Sequence, residues 1–159
     1  MNESKKSAPI FGESIITAIS VGFAFLLVGI IFVITPNLFD KILDFFKDFT
    51  LVDIKNSNWV LPAPASASSH LLVYQAVAQF SFALGAFQIV ILALRFFATS
   101  AWEKKSETVG NLVFWLGAGF LIQAFLLETT YWFIFCSTII MLCGVSLIAR
   151  AIVMAAARI

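Results

Sequence analysis

The sequence predicts an all-α integral membrane protein with four transmembrane helices and a short extracytoplasmic amphipathic helix between the first and second. Three observations carry that reading. Of 159 residues, 61% are hydrophobic and 12% charged, and the mean hydropathy of +0.99 lies far from that of a soluble domain. The apolar residues gather into four runs long enough to cross a bilayer. One shorter segment divides its apolar and charged residues between two helical faces. The whole chain, 1–159, is read as one four-helix transmembrane domain, a four-helix bundle, with spans at about 10–35, 71–97, 108–127 and 131–155.

The first run, Ile10 to Thr35, follows the basic start MNESKK, as a signal peptide would. It is roughly twice the length of a signal core and lacks a small-x-small cleavage site, so it is expected to stay as a first span. Pro9 suits a first helical turn, and Glu13 suits the positive end of the helix dipole. Ala18, Gly22 and Gly29 form a seam of small residues at which a neighbouring backbone can approach. Pro36 ends the run.

From 38 to 50, Leu38, Phe39, Ile42, Leu43, Phe45, Phe46 and Phe49 share one arc of a helical wheel, while Asp40, Lys41, Asp44, Lys47 and Asp48 fill the opposite arc. Three turns cannot span a membrane, so this helix is expected at the surface, with Asn37 as its N-cap and an end near Thr50. Residues 51–69 read as irregular, with a Pro/Ala/Ser-rich linker over 56–69. Ser68 or Ser69 is the expected cap of the next helix.

The second span carries the most regular pattern. Tyr74, Ala78, Ser81, Gly85, Gln88, Leu92 and Arg95 recur at steps of four and three, which places small and polar residues in one stripe. Such a stripe is a surface for helix packing or for lining a pore. A charged loop, 100–107, should precede a glycine-rich third span at 108–127. The short turn at Glu128, Thr129 and Thr130 should fold the third and fourth spans into an antiparallel hairpin.

Lysines and arginines set the orientation. With four spans, Lys5, Lys6, Arg95, Lys104, Lys105, Arg150 and Arg158 fall on one side, and Lys41, Lys47 and Lys55 on the other. Seven against three places both termini in the cytoplasm.

No ionisable side chain falls near the middle of a span, which argues against a proton relay. Glu13 and Arg95 sit at similar depth, which allows a salt bridge between the first two spans, although an arginine so near a helix end is expected first to snorkel to the headgroups. Gln79 and Gln123 should share the outer half and Gln88 and Thr17 the inner half, so cross-helix pairs that would fix register are geometrically allowed. His70 is the single histidine, too few for a bis-histidyl haem; Asp40, Asp44 and Glu128 share its side, yet no metal-ligand spacing accompanies it. Cys136 and Cys143, two helical turns or about 10 Å apart, are too distant for a mutual disulfide.

No catalytic residue, metal or cofactor is assigned, and a net charge of +1 with no basic face excludes a nucleic-acid partner. The expected partners are membrane lipid and either further copies of the chain or other membrane subunits. The function expected is that of a non-catalytic structural or assembly subunit. The alternative is an oligomeric channel or carrier lined by the uncharged polar face of the second span.

Overall fold

The computed structural model describes residues 12–54 and 58–157. About four-fifths of the chain is helical. The elements are α1 (Glu13–Ile34), α2 (Leu38–Lys47), β1 (Phe49–Asp53), β2 (Val60–Pro64), α3 (Leu71–Phe97), α4 (Trp102–Ile122) and α5 (Trp132–Ala156). A 3-10 turn, Ala67–His70, leads into α3, and a π-helical turn, Gln123–Leu127, extends α4. Among the described residues, four helical segments are long and apolar enough to cross a membrane: Glu13–Ile34, Ala67–Phe97, Trp102–Leu127 and Trp132–Ala156.

Several boundaries depart from the sequence expectation. Pro9 and Ile10 lie outside the described residues; the helix is described from Glu13. The charged stretch 100–107 is not a loop, because α4 begins at Trp102. Its charges belong to helical turns: Glu103 stands at the positive end of the helix, and Lys104 and Glu107 pair at i,i+3 with a 2.9 Å contact. Thr99, with φ at +51°, makes the break between α3 and α4. Asn37 does precede α2, but in the left-handed conformation (φ 53°) and with no side-chain cap. α2 ends at Lys47 rather than near Thr50. Ser69 donates its hydroxyl to Ser66 O, and neither it nor Ser68 caps α3, whose N-cap is His70.

The largest departure is the β-hairpin in place of an irregular linker. β1 and β2 pair antiparallel, Phe49 opposite Pro64 and Asp53 opposite Val60. Two prolines are tolerated because a two-stranded ladder leaves one edge of each strand free, where a missing N–H costs nothing. Ile54 N donates to Trp59 O at the turn end, and Ala65 N donates to Asp48 O at the helix end, continuing the ladder in both directions.

The four long helices do not close into the expected bundle. They stand in an open row: α1 leans on α3, α3 packs along α4, and α4 packs along α5. α1 and α5 occupy opposite edges. No residue of α5 is buried, and α1 buries Ile16, Leu27 and Ile31. Leu27 and Ile31 join Leu38, Ala76 and Leu84 in one core cluster; Tyr74, Ala78, Ile122 and Leu126 form a second. Phe23 stacks on Phe87 across α1 and α3, with ring centres 3.7 Å apart.

Glycines explain why α4 packs closely on both sides, against α3 and α5. A Cβ on Gly117 would lie 2.5 Å from Leu142 of α5, and one on Gly119 would lie 2.9 Å from the Phe82 ring of α3. Side chains from both neighbours therefore sink into the α4 surface. By contrast, a Cβ on Gly22 or Gly29 of α1 would have nothing within 4 Å, and Ala18 is exposed, so that seam faces away from the chain's own helices.

Candidate functional site

The charged side chains gather at the two ends of the row. At one end, called here the charged end, α1 begins, α3 finishes, α4 begins and α5 finishes, and each helix contributes to one ionic belt. Arg95 is its centre. Its Nη1 donates to Thr108 Oγ1 at 2.6 Å and to the carbonyl oxygen of Lys104, while Nη2 lies 3.7 Å from Glu13 Oε2. Glu13 and Arg95, a pair the sequence allows, thus lie at ion-pair distance with the Arg95 side chain largely buried rather than extended to the surface, but the hydrogen bonds of Arg95 go to α4.

Glu107 continues the belt. Lys104 Nζ donates to Oε2 at 2.9 Å, and Arg150 Nη2 reaches Oε1 from α5 at 3.4 Å. Lys105 lies over the faces of Phe96 and Trp102, 4.6 and 4.7 Å from the ring centres, a cation–π contact that ties the end of α3 to the start of α4. The belt ties all four long helices together in register.

The middle of the row is uncharged. The stripe of α3 is turned inward along much of its length: Tyr74 and Ala78 are buried, Ser81 is 1% exposed, and Gly85 is buried against Leu116 of α4. Gln88 is half-buried. Gln79 and Gln123 are both exposed, and no hydrogen bond joins them among the described residues. Hydroxyls at this depth return to their own helices: Thr17 to Glu13 O, Ser81 to Val77 O, Ser137 to Phe133 O. That arrangement satisfies the hydroxyl without a partner helix.

At the opposite, capped end, α2 and the hairpin are latched onto α3. His70 Nε2 and Asp48 Oδ2 are 2.9 Å apart, and the same carboxylate oxygen accepts the backbone N–H of Ser66 at 2.9 Å. His70 therefore meets Asp48 rather than Asp40, Asp44 or Glu128, and no group of three metal-ligating side chains occurs among the described residues. Phe45 of α2 packs edge-on against His70, Tyr74 and Phe49, and also meets Trp132 of α5. The Ser66 N–H, and then the His70 hydrogen bond, hold the Asp48 carboxyl below the usual carboxylate range.

A depressed carboxyl pKa stabilises the fold above the unfolded value of about 3.9 and loses that contribution as pH falls through the folded value. Acidification below about pH 4 should therefore loosen the cap, read as a change in tryptophan fluorescence near Trp132. Asp48→Asn should remove that step. An identical acid transition in the variant would show that Asp48 does not carry it.

Sequence reasoning found Glu13 and Arg95 but missed Thr108, Glu107 and Arg150 as their continuation, and Asp48 as the partner of His70. For the belt, the available signal was the i,i+3 spacing of Lys104 and Glu107, which suits a helix as well as a loop. The chain was compared with protein-family models, curated proteins and solved structures, and no significant match was found.

Proposed function

We propose that the chain is a non-catalytic, multi-pass membrane protein that acts as a structural or assembly subunit, associating through the edges of its helix row with further copies or with other membrane subunits. The observation that carries this is the open row itself. α5 buries none of its residues, and α1 presents Ala18, Gly22 and Gly29 outward with empty space over both glycines. In a bilayer, apolar side chains are as well solvated by lipid as by protein, so close backbone approach at small residues is what favours association.

In this reading the four long helices span the bilayer, with both termini on the cytoplasmic side. Arg95, Lys104, Lys105 and Arg150 mark the charged end, while Lys41 and Lys47 at the capped end are offset by Asp40, Asp44, Asp48 and Asp53. Lys5, Lys6, Lys55 and Arg158 lie outside the described residues. α2 then lies at the extracytoplasmic surface, roofed on its apolar side by the membrane and α3. A pore lined by Ser81, Gly85 and Gln88 would require α4 to move off Gly85, so the assembly reading is preferred.

The test is the particle mass in a native-lipid preparation, with co-purifying chains identified. A multiple of the chain mass, or the chain with other membrane subunits, is expected. A single chain alone in its lipid would contradict the proposal.

A further inference from the structure

Between α4 and α5, at the charged end, lies a polar cleft of about 240 Å³ lined by Glu107, Gly110, Asn111, Ser146, Leu147 and Arg150. Gly110 keeps its floor open and its walls close: a Cβ there would lie 3.2 Å from Ser146 O and 3.5 Å from Arg150 Cβ. Arg150 offers five guanidinium donors and, among the described residues, uses one, in a long 3.4 Å contact with Glu107 Oε1. Asn111 is exposed and makes no hydrogen bond among the described residues. Ser146 donates to Cys143 O, which leaves its oxygen free to accept. Glu107 Oε2 is occupied by Lys104, whereas among the described residues Oε1 has only the long contact with Arg150.

The cleft thus presents a guanidinium and a carboxamide as donors beside a carboxylate oxygen as acceptor. A simple anion would meet the Glu107 carboxylate, and a simple cation would meet Arg150. A ligand carrying both charges satisfies both walls, with an oxyanion suited to the planar guanidinium fork and an N–H-bearing cation suited to the carboxylate. Glu107 is five residues inside the start of α4 and Arg150 six residues before the end of α5, about 8 to 9 Å along each helix axis. In the membrane reading that is the depth of the headgroup boundary.

We propose that this cleft binds a phosphate–ammonium zwitterion of the ethanolamine type, with the phosphate on Arg150 and Asn111 and the ammonium on Glu107 Oε1. Membrane phosphatidylethanolamine and free phosphoethanolamine share that chemistry. A choline headgroup lacks the N–H that the carboxylate accepts, and a glycerol headgroup lacks the positive charge.

The inference rests on the membrane reading only for the lipid source, and alkaline extraction of membranes tests that reading separately: a chain released as soluble protein would overturn insertion and leave the phosphoethanolamine arm standing. The full-length chain in detergent is offered equal amounts of phosphatidylethanolamine, phosphatidylcholine and phosphatidylglycerol, and bound lipid is read by native mass spectrometry. Wild type should retain the ethanolamine lipid about tenfold over the choline lipid, as expected for one charge-assisted hydrogen bond. Glu107→Gln should shrink that preference, and Arg150→Gln should lower retention of both. Asn111→Leu, at an exposed position outside the ionic belt, should lower ethanolamine-lipid retention with helical content unchanged, and it decides the matter if the other variants misfold. Competition by free phosphoethanolamine assigns a soluble source; its absence, with lipid retained, assigns the lipid. Equal retention of the three lipids, preference for phosphatidylglycerol, or unchanged retention in a folded Asn111→Leu protein would overturn the proposal.

Discussion

Gly85→Leu is expected to cost about 3 kcal/mol or more of stability, the upper end of the usual cost of overpacking, and to separate α3 from α4. A Cβ at this position already lies 2.5 Å from Leu116 Cδ2, 2.7 Å from its Cγ and 3.0 Å from its backbone nitrogen. The leucine side chain can rotate, but the nitrogen belongs to the α4 backbone and moves only if the helices part. Gly85→Ala should therefore also destabilise, by about 1 to 2 kcal/mol, although alanine is the better helix former. Gly22→Ala is the matched control in the dissociated chain in detergent: with open space around it there, only helix propensity changes, and stability should hold or rise by up to about 1 kcal/mol. Denaturant unfolding of the three variants, followed by helical circular dichroism, gives the ranking. Equal effects at Gly85 and Gly22 would place the α3–α4 contact elsewhere.

Arg95→Met is expected to destabilise by about 2 to 4 kcal/mol, chiefly through lost hydrogen bonds to α4 rather than the lost ion pair with Glu13. The Arg95 side chain is 11% exposed and donates to Thr108 Oγ1 and Lys104 O, both on α4. Charge-assisted hydrogen bonds in such a setting contribute about 1.5 to 3 kcal/mol each. Glu13 approaches only to 3.7 Å and makes no hydrogen bond to Arg95, and its two carboxylate oxygens are shielded from solvent without a hydrogen-bond partner among the described residues, so its attraction to Arg95 is offset by desolvation and the pair should contribute less than about 1 kcal/mol net. Glu13→Gln should accordingly be milder than Arg95→Met. A Glu13→Gln effect as large as that of Arg95→Met would make the α1–α3 bridge the main link.

These two positions were legible in the sequence because each lies in a pattern that a helix imposes. The steps of four and three from Tyr74 to Arg95 put Tyr74, Ala78, Ser81 and Gly85 on one face, and that face is buried. The ends of α3 were legible for the same reason. What was not legible depended on partners distant in the chain. Glu107 meets Arg150 across 43 residues, and Asp48 meets His70 across 22. No local spacing encodes either contact. The hairpin was hidden by Pro62 and Pro64, which signal a linker wherever the free edge of a strand cannot be foreseen.

The open row was illegible for a deeper reason. A helix that faces lipid and one that faces another helix draw on the same apolar residues, so composition does not separate an edge from a centre. Only the glycines differ: Gly85, Gly117 and Gly119 are filled by neighbouring side chains, and Gly22, Gly29 and Gly144 are empty.

The most direct measurement is disulfide cross-linking in native membranes through cysteines placed at Gly22 or Gly29, with Cys136 and Cys143 first replaced by alanine. Association through the edge of α1 predicts oxidant-dependent cross-linked species, to a second copy or to another membrane subunit, with none from a cysteine placed at Phe97, exposed at the end of α3. Cysteines at Gly22 and Gly29 that stay monomeric under oxidation, in protein that remains folded and membrane-bound, would contradict assembly through that edge.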